Sequence, residues 1–247
     1  MSIFNKTIVQ INVEANFGST GKISENLNGY LVEHKNVGYI AHGPIKRESP
    51  SNTIAIGDRQ DYYMHILRTR IFDQHGLGSQ SATDAFLKKL KALRPDLIHL
   101  HNIHGYYINY ELLFQFLKNS KVPIVWTLHD CWAFTGHCTH FEYVGCEKWK
   151  TECHTCPLTH TYPKSWYRDR STKNFNQKKK AFTSVPNMTL VPVSGWLASK
   201  LKDSFLKQYP VSTITNGIDV QAFKPLNASA NPLTDKFKAF SVILGVA

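Results

Sequence analysis

Several features that identify common protein classes are missing from this 247-residue sequence. No apolar run reaches the roughly 18 residues that a membrane-spanning helix needs. The first residues, MSIFNK, lack the apolar core of a secretory signal and lead directly into a β-rich segment, so we expect a cytoplasmic protein. Internal repeats and low-complexity segments are also absent, which argues against repeat architectures.

Acidic residues are scarce relative to basic ones, with 18 Asp and Glu against 29 Lys and Arg and a formal net charge of +11. This excess predicts an acidic partner, such as an anionic membrane surface or a phosphorylated small molecule. No nucleic-acid-binding motif accompanies the charge, so we expect no nucleic-acid partner. The densest basic run is either a solvated helix face or a membrane or phosphate contact. Its members are Lys164, Arg168, Arg170, Lys173, Lys178, Lys179 and Lys180.

Strand and helix patterns alternate along the chain. Apolar β-rich runs predict strands at residues 7–13, 37–41, 53–56, 96–102, 123–128, 189–193 and 211–215. Helical spacing predicts a helix of about 14 residues ending at His34, and further helices at residues 61–72, 83–93, 110–119, 165–182 and 196–206. This alternation predicts an α/β fold with a doubly wound, mostly parallel, Rossmann-like sheet.

The run at residues 123–128 is continuously apolar, as expected for a parallel strand that is covered on both faces. His129 and Asp130 follow it directly. Because open α/β sheets bind ligands beyond the carboxyl ends of their strands, these two residues are candidates for the catalytic site. The alternative is a histidine that only caps the next turn.

Three more histidines and an asparagine follow the strand at residues 96–102 or lie at its end: His99, His101, Asn102 and His104. Their position makes them candidates for contact with a substrate by the same argument. The favoured interpretation is that they are loop histidines whose hydrogen bonds are satisfied within the protein.

All five cysteines lie between residues 131 and 156, in a Cys-rich loop that we define as residues 131–160. Cys153 and Cys156 have the two-residue separation of a zinc knuckle, and Cys138 and Cys146 can supply the other two ligands of a structural zinc ion. The sequence leaves packed thiols and a disulfide as alternatives. Cys131 is expected to pack and not to bind metal.

A short glycine loop, Gly18-Ser19-Thr20-Gly21, follows the first predicted strand and opens the first helix. Backbone N–H groups at a helix N-terminus are suited to a phosphate or to the close approach of a sugar. The loop matches neither the GxGxxG dinucleotide motif nor the P-loop. It is otherwise an ordinary turn in which Ser19 or Thr20 caps the helix.

Five segments together carry a family resemblance: the glycine loop, LHD at residues 128–130, VSGWL at 193–197, NGIDVQAFKP at 216–225 and ILGVA at 243–247. In this order they resemble family four glycosyltransferases, which are retaining enzymes of the GT-B architecture with two Rossmann-like domains. The resemblance covers essentially the whole chain as the N-terminal domain. Residues 127–157 look like the subgroup near the colanic-acid transferases of bacterial exopolysaccharide biosynthesis.

The resemblance implies transfer of a sugar from a nucleotide-sugar donor to a saccharide or lipid-linked acceptor, commonly without a catalytic metal. It assigns His129 to the reaction centre and Asp130 to the orientation of the His129 ring. The loop formed by Gly18, Ser19, Thr20 and Gly21 is expected to approach the donor diphosphate.

The resemblance also implies a domain organisation. Residues 1–223 form the acceptor-side domain, and residues 224–247 form a linker and the start of a truncated C-terminal domain. In this family the donor pocket lies in the C-terminal domain, so we expect these residues alone to be inactive unless a missing domain or a separate chain supplies it.

Two rival functions remain at this point. The first is a non-catalytic acceptor-binding or partner module. The second is a zinc-containing nucleic-acid-binding protein, favoured only by the charge and the cysteines. For the transferase, the basic surface and a lipid-linked acceptor predict a peripheral contact with the inner face of the plasma membrane.

Overall fold

Six parallel strands form one sheet in the order β3-β2-β1-β4-β5-β6 in the computed structural model, which describes residues 4–45, 48–221 and 223–224. The strands are β1 (Thr7–Ile11), β2 (Val37–His42), β3 (Asn52–Ala55), β4 (Leu97–Leu100), β5 (Ile124–Leu128) and β6 (Met188–Pro192). This strand order is that of a doubly wound Rossmann-like sheet, and it confirms the predicted fold class.

Six α-helices connect or follow these strands: α1 (Gly18–Glu33), α2 (Arg59–Phe72), α3 (Gln80–Leu93), α4 (Tyr110–Asn119), α5 (Ser171–Phe182) and α6 (Gly195–Asp203). Helices α3, α4 and α5 pack side by side, while α1 packs against β2. The Cys-rich loop lies between β5 and α5 and contains three short 3₁₀ turns. This helical layering buries all but one residue of each of β1, β5 and β6 and half of β4, which explains their largely apolar sequences.

The strand order reverses at β1, because the chain moves outward to β2 and β3 and then returns to place β4 on the other side of β1. Such a reversal opens a crevice beyond the carboxyl ends of the two central strands. The predicted site residues after β1, β4 and β5 therefore lie along one edge of the sheet.

The predicted strand at residues 211–215 is wrong. Val211 alone forms a β-bridge, to Leu190 of β6. Further along, the Ile214 N–H donates to the Pro192 carbonyl at 3.2 Å. The next hydrogen bond of a parallel ladder would be donated by the backbone N–H of residue 192. Pro192 has no N–H, so the pairing stops.

The predicted helix at residues 165–182 begins six residues late, at Ser171. At the start of the helix, side-chain carboxylates accept hydrogen bonds from the backbone N–H groups. The Arg170 N–H donates to Asp73 and the Ser171 N–H donates to Asp169, each at 2.8 Å. Residues 165–170 are therefore a loop held to the rest of the protein by these bonds.

Helix α1 buries a different face from the one that its apolar spacing indicates. Its buried residues are Gly21, Ser24, Glu25 and Asn28, whereas Tyr30 is 58% exposed. The helix lies so close to β2 that a Cβ on Gly38 would meet the Asn28 side chain at 1.9 Å. Only small or hydrogen-bonded side chains fit at that distance.

Backbone contacts divide the chain into two units, Met1–Thr215 and Asn216–Ala247. In the described part of the second unit, Asp219 accepts hydrogen bonds from the backbone N–H groups of Gln221 and Phe223. The predicted domain boundary after residue 223 stays a prediction. The ILGVA segment at residues 243–247 and most of the predicted linker lie outside the described residues.

Within the described part of the chain, no helix combines the length and the apolar character that crossing a bilayer requires.

Candidate functional site at the carboxyl edge of the sheet

Three neighbouring strands bring polar side chains to one edge of the sheet. Gln10 lies in β1, His101 directly follows β4, and His129 directly follows β5. Gln10 and His101 are buried, and His129 is half-buried. The parallel register places Gln10 beside His99 on β4, so the side chains of the three strands are brought together at this edge.

A histidine row, which we define as His99, His101 and His129, runs across β4 and β5 at this edge. The His99 and His101 rings stack with their centroids 4.2 Å apart. Nδ1 of His101 lies 3.3 Å from Nε2 of His129. His99 Nε2 is 2.8 Å from the Thr127 hydroxyl, and His101 Nε2 is 3.0 Å from Gln10 Oε1. The structure thus connects the predicted catalytic histidine to two of the candidate substrate-contact histidines, whose hydrogen bonds are made within the protein.

All three members of the histidine row are neutral at physiological pH. Burial lowers the pKa of His99 to about 4 and that of His129 to about 4. Burial, followed by the charges of His99 and His129, holds the pKa of His101 well below its usual value. The row can therefore donate and accept hydrogen bonds without adding positive charge to the edge of the sheet.

Asp130 contacts a different histidine from the one expected. One carboxylate oxygen accepts a hydrogen bond from His104 Nε2 at 2.9 Å, and the other accepts from the Trp132 N–H at 2.9 Å. Burial acts to raise the Asp130 pKa, but the His104 charge and these hydrogen bonds outweigh it and hold the pKa below its ordinary value. The expectation that Asp130 orients the His129 ring is thus corrected, because its carboxylate is engaged with His104 and Trp132.

A cavity of about 280 Å³ opens beside this Asp130–His104 pair. Tyr62, Tyr106 and Tyr162 line it together with Asn102 and His104, and Gly105 allows the backbone to pass close by. The Tyr162 hydroxyl lies 3.2 Å from His104 Nδ1. Sequence reasoning missed the three tyrosines, since they are far apart in the chain.

The glycine loop forms the first turn of α1. Phe17 is the N-cap and no side chain caps the helix, so Ser19 and Thr20 do not play the alternative role as caps. Gly18 has φ +60°, and a Cβ on Gly21 would meet the Glu14 carbonyl at 3.3 Å. The left-handed backbone favours glycine at residue 18, and the tight approach of the Glu14 carbonyl favours it at residue 21, whether or not a ligand binds there.

The Cys-rich loop brings four thiols to one small cavity, lined by Cys138, Cys146, Cys153 and Cys156. All five cysteines are free, so the disulfide alternative is not observed. Cys131 is buried in the core, as expected. Among the residues that the structure describes, no three His, Cys, Asp or Glu side chains are arranged to hold a metal ion.

A buried histidine–carboxylate pair also borders this thiol cavity. His137 lines the cavity, and its Nδ1 donates to Asp73 at 2.7 Å, with both side chains fully buried. Nε2 of His137 has no hydrogen-bond partner among the described residues. Nothing in the sequence pattern indicates this pair, because Asp73 lies at the end of α2, far from His137 in the chain.

One member of the basic run is not on the surface. Lys178 is 1% exposed, and its ammonium group donates to the carbonyls of Trp132 and Thr135 at 2.8 and 3.1 Å. It also lies 3.5 Å from the centre of the Trp132 ring. Lys178 therefore fastens α5 to the start of the Cys-rich loop, and both surface interpretations of the run are wrong for this residue.

Comparison with known proteins extends the structural result. Residues 49–222 match the family model described as Glycosyltransferase Family 4. Over 168 residues the chain is 29% identical to WcaC of Escherichia coli (strain K12), which is assigned as a colanic acid biosynthesis glycosyl transferase. That alignment covers 63% of this chain and 40% of WcaC.

A solved structure, sucrose-phosphate synthase from Thermosynechococcus elongatus, matches 91% of this chain with a TM-score of 0.52 and 12% identity. The match covers 51% of that protein and concerns the fold alone. The chain thus spans about half, or less, of the length of both proteins. The family match over most of the chain, supported by the sheet topology, shows that this protein belongs to glycosyltransferase family 4 and has an N-terminal-type domain of the GT-B fold.

Proposed function

We propose that the chain provides the acceptor-side domain of a retaining glycosyltransferase in bacterial polysaccharide biosynthesis. The enzyme transfers a sugar from a nucleotide-sugar donor to a saccharide or lipid-linked acceptor. The match of residues 49–222 to the family is the observation that carries this proposal. WcaC, with its assignment to colanic acid biosynthesis, supports the substrate class.

The tyrosine-lined cavity is proposed as the acceptor site. Its walls combine aromatic rings with the amide of Asn102 and the imidazole of His104. Apolar ring faces beside a few fixed polar groups are typical of small-molecule sites, and sugars present both C–H faces and hydroxyls. His129 lies close to the cavity through its neighbour Asp130, which binds the cavity-lining His104.

The backbone N–H groups at the start of α1 are proposed to face the donor diphosphate. Helix N-termini favour anions, and the glycine loop permits close approach. Because the chain aligns with only 40% of WcaC, we propose that most donor contacts come from a part of the enzyme outside these residues.

A binding experiment tests the acceptor site. The chain should bind a soluble oligosaccharide from the producing cell's polysaccharide, measured by NMR titration. Tyr106→Ala should weaken that binding, since it removes one wall of the cavity, whereas Tyr143→Ala, on an exposed turn of the Cys-rich loop, should not. Equal weakening by both variants, or saccharide contacts elsewhere, would disprove this placement.

Peripheral membrane contact is proposed through the outward side of α2. This helix buries His65 and Thr69 but exposes Tyr63, Met64 and Leu67 to 65%, 64% and 43%. Exposed apolar and aromatic side chains on a strongly basic protein suit the interface of an anionic bilayer. Since Tyr62 lines the cavity, this surface lies next to the proposed acceptor site, as a lipid-linked acceptor requires.

Vesicle sedimentation tests the membrane proposal. The protein should sediment with vesicles that contain anionic phospholipid and much less with purely zwitterionic vesicles. Replacing Tyr63 and Leu67 with serine should reduce the bound fraction several-fold, because apolar insertion is lost. The matched control replaces Tyr30 and Val32, exposed apolar residues of α1, and should bind as the wild type does.

Structural zinc in the Cys-rich loop is also proposed. The four thiols share one cavity, and interaction with the Cys138 side chain is the main cause that raises the pKa of Cys156. A Cys₄ site has no open position, so this zinc would order the loop and take no part in catalysis.

A second candidate function is a non-catalytic acceptor-binding module. The tyrosine-lined cavity supports it, because saccharide binding at that cavity does not by itself require donor chemistry. A module of this kind would bind saccharide at the same cavity but would not restore transfer when a donor domain is supplied.

A further inference from the structure

The hydrogen bonds behind His129 define which of its nitrogens carries the proton. We propose that Gln10 and His101 act as positioning residues that hold His129 in the Nε2–H tautomer. Its Nδ1 is then left as a hydrogen-bond acceptor for a substrate hydroxyl. The functional consequence rests on the proposed transferase function, whereas the tautomer itself does not.

The first step is the orientation of the Gln10 amide. Gln10 is fully buried in β1, and its Nε2 donates to the Ser24 backbone carbonyl at 2.9 Å. A carbonyl oxygen only accepts, so the amide nitrogen must face Ser24 and the amide oxygen must face the other way. Gln10 Oε1 is the atom that lies 3.0 Å from His101 Nε2.

The second step is the tautomer of His101. Because Gln10 Oε1 only accepts, Nε2 of His101 must carry a proton. The ring is buried, with 2% exposure, and burial keeps it neutral. A neutral imidazole with its proton on Nε2 has a lone pair on Nδ1, so His101 Nδ1 is an acceptor.

The third step transfers this constraint to His129. Its Nε2 lies 3.3 Å from His101 Nδ1, and the two rings are inclined by only 20° with centroids 5.6 Å apart. That separation matches the nitrogen–nitrogen distance plus the two ring radii, so the rings meet edge to edge, as an N–H···N bond requires. His129 must therefore donate from Nε2, and its lone pair is on Nδ1.

The result is a one-directional chain of hydrogen bonds from His129 through His101 to Gln10 and the Ser24 carbonyl. An acceptor nitrogen on His129 binds a hydroxyl, which donates, and it repels a phosphate oxygen, which also only accepts. This series of hydrogen bonds thus favours a sugar hydroxyl as the partner of His129, and the diphosphate is left to bind at the N-terminus of α1.

Nitrogen NMR of the complete 247-residue chain tests the tautomer directly. The chain carries ¹⁵N-labelled histidine, and the His129 signals are identified by their loss in His129→Gln. At neutral pH we expect the wild type to show a protonated Nε2 and an unprotonated Nδ1 on His129. A proton on Nδ1 of His129 in the wild type would overturn the inference, and this measurement does not depend on the folding of any other variant.

Gln10→Met is the variant that tests the origin of the tautomer, because it keeps the side-chain length but removes the acceptor. The His129 signals should then shift toward a mixture of both tautomers. The matched control is Thr127→Val, which removes the hydroxyl that His99 contacts and should leave the His129 signals unchanged. A His129 spectrum that is unchanged in Gln10→Met would also overturn the inference.

The functional readout is the kinetics of sugar transfer by the 247 residues joined to a donor domain. Gln10→Met should lower kcat about tenfold with little change in the donor KM, as is typical when a supporting partner of a functional histidine is removed. In a His129→Ala background the same change should have no further effect, since it acts only through His129. Additive losses would mean that Gln10 has a merely structural role. If the tautomer is found but the fused protein transfers no sugar, the proposed function fails and the tautomer assignment stands, whereas transfer that does not depend on His129 would overturn the functional part of the inference.

Discussion

Protonation of His65 should be a main cause of instability in acid. Its Nδ1 donates to the Ser79 hydroxyl at 2.9 Å, and its Nε2 accepts from the backbone N–H groups of Gly76 and Gly78 at 3.0 and 3.2 Å. Both ring nitrogens are thus committed, and the ring is 1% exposed. Burial, with a smaller contribution from Arg68, lowers its pKa from 6.5 to about 3.

The sign of the effect follows from the two pKa values. Between pH 6.5 and about 3 the unfolded chain binds a proton at His65 and the folded chain does not. The free energy of unfolding therefore falls as the pH is lowered through this window. The full difference between the two pKa values corresponds to about 5 kcal/mol in the free energy of unfolding. About 2 kcal/mol of this stability is lost when the pH reaches 5.

His65→Gln isolates this contribution from that of the other buried histidines. The glutamine amide can accept from the glycine N–H groups but does not titrate. At pH 7 the variant should be less stable by about 1–3 kcal/mol, because ring packing and hydrogen-bond geometry are lost. Between pH 7 and pH 5 that deficit should shrink by about 2 kcal/mol, since only the wild type loses the stability that is linked to proton uptake at His65.

Urea unfolding at the two pH values measures the deficit. His160→Gln, at an exposed position, is the matched control and should leave the pH dependence of the wild type unchanged. A deficit for His65→Gln that stays constant from pH 7 to pH 5 would refute the reasoning, because it would mean that His65 takes up a proton equally in both states.

Two further predictions concern the site and the loop. His129→Ala should lower the turnover of the 247 residues joined to a donor domain by about 10²-fold or more with an unchanged circular dichroism spectrum, if the residue acts at the reaction centre as the family resemblance implies. Unchanged turnover would remove His129 from the mechanism. If the four thiols of the Cys-rich loop bind zinc, protein purified without chelator should contain about one metal ion per chain by elemental analysis, and a content near zero would contradict that site.

The sheet could be predicted from the sequence because each strand carries its own signal. A continuous apolar run such as residues 123–128 identifies a buried parallel strand without reference to the rest of the chain. The last predicted strand failed for a reason outside its own residues, namely the missing N–H of Pro192 on the neighbouring strand. The buried face of helix α1 was also predicted wrongly, because the close approach of the helix to Gly38 decides which face is buried.

Position along the sheet also placed His129 and Asp130 at the correct edge, but their partners required the folded chain. Asp130 pairs with His104 and His129 with His101, over separations of 26 and 28 residues. Gln10 has no sequence signal, since a single polar residue in a strand is unremarkable until its neighbours are known. The burial of Lys178 is equally invisible, because carbonyls of the Cys-rich loop satisfy its charge.

The most direct test is a sugar-transfer assay of the 247 residues alone and joined to the C-terminal region of a family 4 relative such as WcaC. We predict weak nucleotide-sugar binding and no measurable transfer by the 247 residues alone. We predict transfer to a saccharide or lipid-linked acceptor once the donor region is supplied, because stabilisation of the leaving diphosphate is a large part of such catalysis. Tight nucleotide-sugar binding or robust transfer by the 247 residues alone would contradict the claim that they form the acceptor side of the enzyme.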